Sequence, residues 1–339
     1  MKAVLLSAPG VLEYVDVPDP GPPAADEVIM RVRAASVCGS DTHGYTGQGG
    51  RRVPPLIMGH EACGELTEVG TNAGPHQIGE RVFMLPQVTC MACAACLMGV
   101  FDQCVNRLVI GADLPGAFAE YVRMPARNAL PLPDRVPFTQ AALLEPLSVV
   151  VKGLSRVSIP PGGTAAVVGA GPIGLIAVGV LALHSPRELI VFEPQPDRRQ
   201  LALEMGATVA LDPADAEARN EVMDRTAGVG VDVCVEAAGI TPTVATAVDI
   251  TRAGGSLVWL GNAGRVVEID EFKVVWNQLS IHASMGVTPQ SALAAMGTLG
   301  TGKLRVEKLV TLSVPLSEGV AAFHRTAKDP SIIKTVLLP

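Results

Sequence analysis

The chain has 339 residues, of which 48% are apolar, 17% charged and 4% aromatic, and its net charge is -7. That length exceeds the size at which a single core stops growing, so two domains are expected, and scarce aromatics suit Ala/Val/Leu/Gly packing between helices and a parallel sheet. Interspersed charges of net acidic sign leave no electrostatic footprint for nucleic acid or an anionic membrane surface, which points to a small-molecule partner.

The amino terminus carries Lys2, a short apolar run at residues 3–6, then Glu13, Asp16 and a Pro/Gly cluster with no small-residue cleavage site, so no export signal is expected. Seven cysteines in such a chain, four of them crowded between Cys90 and Cys104, favour metal binding over disulfides and a cytoplasmic location. The first 130 residues hold short alternating runs, such as 27–34 and 64–69, broken by Gly and Pro; they predict a mainly β domain. From Gly162 the pattern becomes strand, helix, strand, helix. It predicts a strand at 164–169, a helix from Pro172, a strand at 188–193, a helix from Asp197 and a strand at 209–212. A polar helix near 214–226 and strands at 231–236, 255–261 and 279–283 follow. The tail predicts a helix at 290–299, strands at 308–312 and 334–338 and a helix between them, returning to the first domain. Residues 165–183 are uncharged and long enough to span a membrane. Four glycines and Pro172 interrupt them, however, and a buried strand, tight turn and buried helix account for the same apolarity.

Residues 167–174 read VVGAGPIG, a GxGxxG where a strand hands over to a helix. Gly169 permits the tight turn, Gly171 lets backbone approach a pyrophosphate, and Gly174 lets the helix pack closely on the strand; Pro172 and Ile173 lie between, at the helix amino end that faces the phosphates. The next strand ends at Glu193, where a carboxylate would accept hydrogen bonds from the adenosine ribose and repel the 2′-phosphate of NADP, favouring NAD. Arg198 and Arg199 leave NADP as the alternative; their other reading is solvated charge in the first turns of the next helix.

Cys90, Cys93, Cys96 and Cys104 form CxxCxxCx7C, a spacing that lets one small lobe present four thiolates tetrahedrally to a zinc ion whose shell is then closed. An iron-sulfur cluster is the rival, but ferredoxin spacings differ. Elsewhere CGSDTHG places Cys38, Ser40, Asp41 and His43 within six residues, and MGHEACG supplies His60 and Glu61. Thiolate, imidazole and carboxylate are the ligand types that hold a catalytic zinc while leaving a fourth position open. Taken singly, Cys38 also reads as a small buried hydrophobe and His60 as a hydrogen-bonded core residue.

With CGSD at 38–41, GHE at 59–61, the four-cysteine lobe, GAFAEYV at 116–122 and GAGPIG at 169–174 in this order and spacing, the sequence resembles the zinc-containing medium-chain dehydrogenase/reductase family over essentially its whole length. The resemblance implies an α/β protein. A GroES-like β-barrel catalytic domain would comprise residues 1–148 and 287–339, with a structural-zinc lobe at 88–106. A Rossmann NAD-binding domain, 149–286, would be inserted into it, with the active site in the cleft between the two. It also implies that Cys38 and His60 are catalytic-zinc ligands, that Asp41 orients His60, and that Ser40 and His43 relay the released proton to solvent. In alcohol dehydrogenases of the family a cysteine occupies the position of Glu145 here. The EPLSV run at 145–149 is similar instead to sorbitol and other polyol dehydrogenases, where the carboxylate of GHE, here Glu61, binds zinc and the later glutamate, here Glu145, reaches it through water. Cys63 is read as core packing. Two zinc ions per subunit, one catalytic and one structural, are thus expected.

The implied reaction is oxidation of a secondary alcohol of a polyol or sugar derivative to a ketone with NAD. Galactitol 1-phosphate dehydrogenase is another near likeness, and threonine 3-dehydrogenase-like amino-alcohol oxidation and NADP-dependent ketone reduction are alternatives. His282, Ala283, Ser284 and Met285 stand where polyol enzymes often place a large polar group. Arg51 and Arg52 precede the GHE loop, either facing the pocket, which would suit a phosphorylated or acidic substrate, or lying in a solvated loop. The family also implies a homodimer or homotetramer. A zinc-binding interaction module is the non-enzyme alternative, its nucleic-acid form opposed by the acidic balance.

Overall fold

The computed structural model describes residues 1–47, 50–263 and 266–339. They divide into two compact units: Met1–Glu145 with Gly286–Gly300 and Leu309–Pro339, and Pro146–Met285 with Thr301–Lys308.

The spine of the first unit is the strand Glu27–Ser36, whose apolar residues are buried along most of its length. It sits within a sheet ordered Ala129–Pro131, Arg81–Met84, Glu61–Val69, Glu27–Ser36, Lys334–Leu338 and Val310–Pro315, and Tyr121–Pro125 also pairs with it. A smaller sheet joins Val11–Asp16, Lys2–Ala8 and Leu56–Ile57. Met30, Leu66, Met84, Phe118, Met124 and Phe323 fill the core between these layers. The carboxy-terminal strand Lys334–Leu338 is antiparallel to the spine, with Val336 opposite Ser36, so residues from both ends of the chain share one sheet.

Glu61–Val69 starts three residues before the run expected from the sequence, because Gly64 is no strand breaker here. A side chain at Gly64 would place its Cβ 2.0 Å from the Arg31 carbonyl oxygen, so glycine permits the close approach of neighbouring strands. The GAFAEYV segment has a related role. The amides of Gly116, Ala117 and Phe118 donate to the carbonyls of Ile57, Gly59 and Met58, at 2.7, 2.9 and 2.9 Å, and clamp the loop that leads into His60. Gly59 has φ +96°, which a residue with a side chain rarely adopts.

The second unit is a six-stranded sheet with every pair parallel, ordered Val209–Leu211, Glu188–Phe192, Thr164–Val168, Val231–Glu236, Thr251–Trp259 and Ser280–Ala283. This is the doubly wound order in which the first strand lies centrally. All six strands foreseen in the sequence are present. The fifth begins earlier than the expected residue 255: it runs through the Gly-Gly pair at 254–255 with a register shift against its neighbour, where the glycines accommodate an irregularity rather than end the strand. The apolar stretch at 165–183 is split between the strand Thr164–Val168 and the 12-residue helix Pro172–Leu183. Among the described residues no helix is long and apolar enough to cross a membrane.

Gly64→Ala is expected to destabilise the chain by about 1–3 kcal/mol, the usual cost of forcing atoms into a packed site. A melting temperature equal to that of the unsubstituted chain would show that the strands separate there at no cost.

Candidate metal and dinucleotide sites

Where the spine strand ends, Cys38 caps the short helix Gly39–Gly44, which carries Ser40, Asp41 and His43. The antiparallel register places Ser36 opposite Glu61, so the loop before Glu61 brings His60 back towards Cys38. The candidate ligand atoms of Cys38, His60 and Glu61 all lie within 4.8 Å of one another. Zinc–ligand bonds of about 2.0–2.3 Å place tetrahedral ligands roughly 3.3–3.8 Å apart, a spacing that lies within this limit. Of the Glu61 carboxylate, Oε2 accepts from the Ser36 hydroxyl and, at 2.5 Å, from Lys334 Nζ, whereas Oε1 is buried with no hydrogen-bond partner. An orphaned carboxylate oxygen is costly unless something cationic meets it, so the donor set fits a metal ion.

The charges around this set are organised by burial. Asp41 is fully buried, and burial alone would raise its pKa. His60, Arg52 and the Cys38 amide, which donates to Oδ2 at 3.1 Å, outweigh burial and hold the carboxyl at about 2. His60 Nδ1 lies 3.3 Å from Asp41 Oδ1, an ion-pair distance without good hydrogen-bond alignment. Burial pushes His60 down, but Asp41 and Cys38 outweigh it and leave the imidazole well above its ordinary value. Lys334 is likewise lowered by burial and raised by Glu61 and Cys38, with a net rise. Burial pushes the Glu145 carboxyl, in the first turn of the helix Leu144–Leu154, up to about 7; Glu61 and Asp41 add to the rise, and His60 and Lys334 oppose it. Ser40 and His43 lie on the exposed side of their helix.

Neither arginine before the GHE loop is a freely solvated charge. Arg51 grips Asp113 through Nε and Nη2, at 2.8 and 2.7 Å, and Arg52 has only 10% of its side chain exposed and pairs with Asp41 at 2.7 Å. Cys63 is buried and its thiol donates to the Phe138 carbonyl at 3.2 Å. Arg52 was read as facing the pocket or lying in a solvated loop, not as a partner of Asp41; Lys334 and Ser36 were not singled out by the sequence at all. A single lysine in the apolar run of Lys334–Leu338 was the available signal for Lys334.

The four-cysteine lobe is folded by two short turns of helix, Ala94–Leu97 and Phe101–Gln103. All four sulfurs lie within 4.8 Å of one another, with Cys104–Cys90 at 3.5 Å and Cys90–Cys96 at 4.0 Å. Such separations are far beyond a disulfide bond and match the edge of roughly 3.8 Å of a tetrahedron with Zn–S near 2.3 Å. The amides of Ala92 and Cys93 hold the Cys90 thiol down to about 6, and burial pushes Cys96 up to about 12, followed by the neighbouring thiols of Cys93 and Cys104. Packing sulfurs this closely suits a cation at their centre.

In the second unit Gly169 has φ +93° and its amide donates to the Phe192 carbonyl at 2.8 Å. A Cβ on Gly174 would lie 1.8 Å from the Gly169 carbonyl oxygen, whereas one on Gly171 would meet nothing within 4 Å. The third glycine is thus needed for closure of the turn, and the second faces open space at the amino end of the helix, beside Pro172 and Ile173. Glu193, 4% exposed, accepts from the Ala170 amide through Oε2 at 2.8 Å and from the Gln195 amide through Oε1 at 3.0 Å. Its carboxylate therefore ties the second strand's end to the glycine turn. Arg199 is held by the Glu193 and Pro194 carbonyls, both at 2.7 Å, and by Asp212 at 3.1 Å, so it is not the solvated charge expected; Arg198 is half-buried.

The alcohol dehydrogenase GroES-like domain family matches residues 24–134, and the zinc-binding dehydrogenase family matches residues 172–299. L-threonine 3-dehydrogenase of Thermococcus kodakarensis is 34% identical over 322 residues, which cover 92% of this chain and 90% of that protein. Sorbitol dehydrogenase of Bacillus subtilis is 36% identical over 254 residues, covering 74% and 71%. Among solved structures, a zinc-binding dehydrogenase of Sinorhizobium meliloti 1021 bound to NADP superposes with a TM-score of 0.89 at 29% identity, covering 100% of this chain and 99% of that one.

Because position 171 is open, Gly171→Ala is expected to leave stability within about 0.5 kcal/mol while weakening dinucleotide binding in a fluorescence titration. Unchanged affinity would remove this turn from the binding surface. Cys96→Ser should strip one metal equivalent, read by metal analysis, and lower the melting temperature; full metal content would show that the lobe closes without its fourth thiolate.

Proposed function

The chain belongs to the zinc-binding dehydrogenase family and is a zinc-dependent alcohol oxidoreductase; from that premise we propose that it transfers a hydride from a secondary alcohol of a polyol or sugar derivative to NAD, giving a ketone. In this reading Cys38, His60 and Glu61 hold a catalytic zinc and the four-cysteine lobe a structural one, two per subunit. The observation that carries it is the convergence of a cysteine sulfur, an imidazole and a carboxylate with an orphaned oxygen, near the buried carboxyl of Glu145. Zinc, when bound there, supplies Lewis acidity that lowers the pKa of an alcohol hydroxyl.

The remaining work falls to side chains. Asp41 orients His60 by facing Nδ1, leaving the other ring nitrogen for the metal. Glu145, with a pKa of about 7, is suited to hold a proton or a water at the site near neutral pH. Ser40 and His43, exposed on one short helix, are suited to carry the proton to solvent. The glycine turn at 169–174 and Glu193 receive the dinucleotide, and the acidic residue at the strand end favours NAD, with Arg198 the residue that would admit NADP. We assign the unit Met1–Glu145 with Gly286–Gly300 and Leu309–Pro339 to catalysis and the unit Pro146–Met285 with Thr301–Lys308 to dinucleotide binding, which moves the expected boundaries at 148 and 286 and transfers 301–308 to the second unit.

Arg51 and Arg52 are each neutralised by an aspartate, which supports an uncharged hydroxyl substrate over a phosphorylated one. Amino-alcohol oxidation is the second reading, favoured by the near-complete coverage of the threonine dehydrogenase relative. A homodimer or homotetramer is supported by the strand Ser280–Ala283, which ends the described sheet within a stretch, residues 274–302, free of Asp, Glu, Lys and Arg, whereas edges left in water are usually guarded by charge. That none of the seven cysteines is paired in a disulfide suits a reducing compartment such as the cytosol.

The test is NAD reduction with polyols, sugar-alcohol phosphates, amino alcohols and simple alcohols, alongside metal analysis of the unsubstituted chain and Cys38→Ser. Turnover of polyols, with activity and one of two zinc equivalents lost in the variant, is expected. Turnover of threonine and not of polyols would overturn the substrate class and leave the metal chemistry standing.

A further inference from the structure

Arg52 is placed where two functions of the candidate site meet. Its Nη2 donates to Asp41 Oδ1 at 2.7 Å and to Ser40 Oγ at 3.1 Å, so one nitrogen bridges the carboxylate that faces His60 and the hydroxyl read as the first relay group. The guanidinium is nearly buried, and its Nε has no hydrogen-bond partner. Gly44 makes room for it: a Cβ there would lie 2.8 Å from Arg52 Cδ and 2.9 Å from Nη1. Burying a cation with a donor unsatisfied is expensive unless the remaining contacts are worth more, and here they are contacts to a fully buried carboxylate.

We propose that Arg52 is a positioning residue that fixes Asp41 and Ser40 together, so that metal retention and proton transfer depend on one guanidinium. The inference rests on the reading of Cys38, His60 and Glu61 as a zinc site. On the first side, Asp41 must keep its position and direction to hold the ring of His60, and partners one step removed from the ligands commonly change metal affinity by about 10–100-fold. On the second, a hydroxyl has two acceptor lone pairs and one donor. With one lone pair on Ser40 Oγ taken by Arg52, the oxygen is held in place and still keeps one lone pair to accept a proton and one O–H to pass on. Arg52 touches neither metal nor substrate in this scheme.

The test uses the full chain loaded with zinc, as the unsubstituted protein, Arg52→Met and Arg52→Lys. Zinc equivalents are followed during timed exposure to a chelator, with the four-cysteine zinc as internal reference, and kcat and KM are measured across pH. Arg52→Met should lose the zinc of the three-ligand site about 10–100-fold faster while keeping the other, with kcat reduced and the dinucleotide KM unchanged. Arg52→Lys restores a cation opposite Asp41 but lacks the fixed planar fork, so it should recover zinc retention and leave kcat low. Release at the unsubstituted rate with an unaltered pH profile in Arg52→Met overturns the inference alone. So does loss of both zinc ions in Arg52→Met with no recovery in Arg52→Lys, which is the mark of a general folding defect. An unsubstituted chain that holds a single zinc overturns the zinc-site reading itself, and the inference with it.

Discussion

The register between the strands Glu27–Ser36 and Glu61–Val69 is the constraint on which the candidate metal site depends. It sets Ser36 opposite Glu61 and Ala35 opposite Ala62, and the strand Lys334–Leu338 adds Val336 on the other side of Ser36. Side chains alternate between faces with a period of two, so a slip of one residue would send Glu61 to the opposite face and separate it from both Ser36 and Lys334. Glycines protect that register. Gly64 lets the two strands approach where any side chain would strike the Arg31 carbonyl, and the amides of residues 116–118 lock the loop that aims His60.

Within that frame, two carboxyls of similar intrinsic acidity are driven apart. Asp41 accepts from the Cys38 amide and Arg52 and faces His60, and it is held at about 2; Glu145 is buried near two other carboxylates and is pushed up to about 7. The first is thereby a permanent anion suited to orienting an imidazole, the second a group able to exchange a proton near neutral pH, and their difference comes from surroundings. Lys334 and Arg52 each compensate one buried carboxylate. What they leave over, Oε1 of Glu61 beside Cys38 and His60, is the part of the cluster that a metal dication would complete.

The glycine turn of the second unit shows a similar division of labour. Gly174 serves closure of the turn, Gly169 serves its backbone conformation, and Gly171 serves neither and faces open space at the amino end of the helix. Glu193 belongs to both tasks, since its two oxygens anchor the turn and its own following residues while it stands at the end of the strand where an adenosine ribose is received in folds of this order. The turn is thus preorganised by backbone bonds before any ligand arrives.

The alternation of strands and helices along the second unit, the glycine turn and the four-cysteine lobe were legible in the sequence because each is a local signal: a period, a strand-to-helix junction, a spacing of cysteines over 15 residues. Cys38, His60 and Glu61 were legible as ligand types, and the family resemblance joined them. The strand starts at Glu61 and Thr251 were misplaced because glycine reads as a breaker when only neighbours in sequence are visible, whereas here it answers to atoms from other strands. The sequence by itself determined which chemistries the chain can present. Only the tertiary structure decided that Glu61 converges with Cys38 and His60, that Lys334, 273 residues away, is its partner, and that Arg52 faces inward to Asp41, because such pairings are set by strand register and burial, which have no counterpart in local spacing.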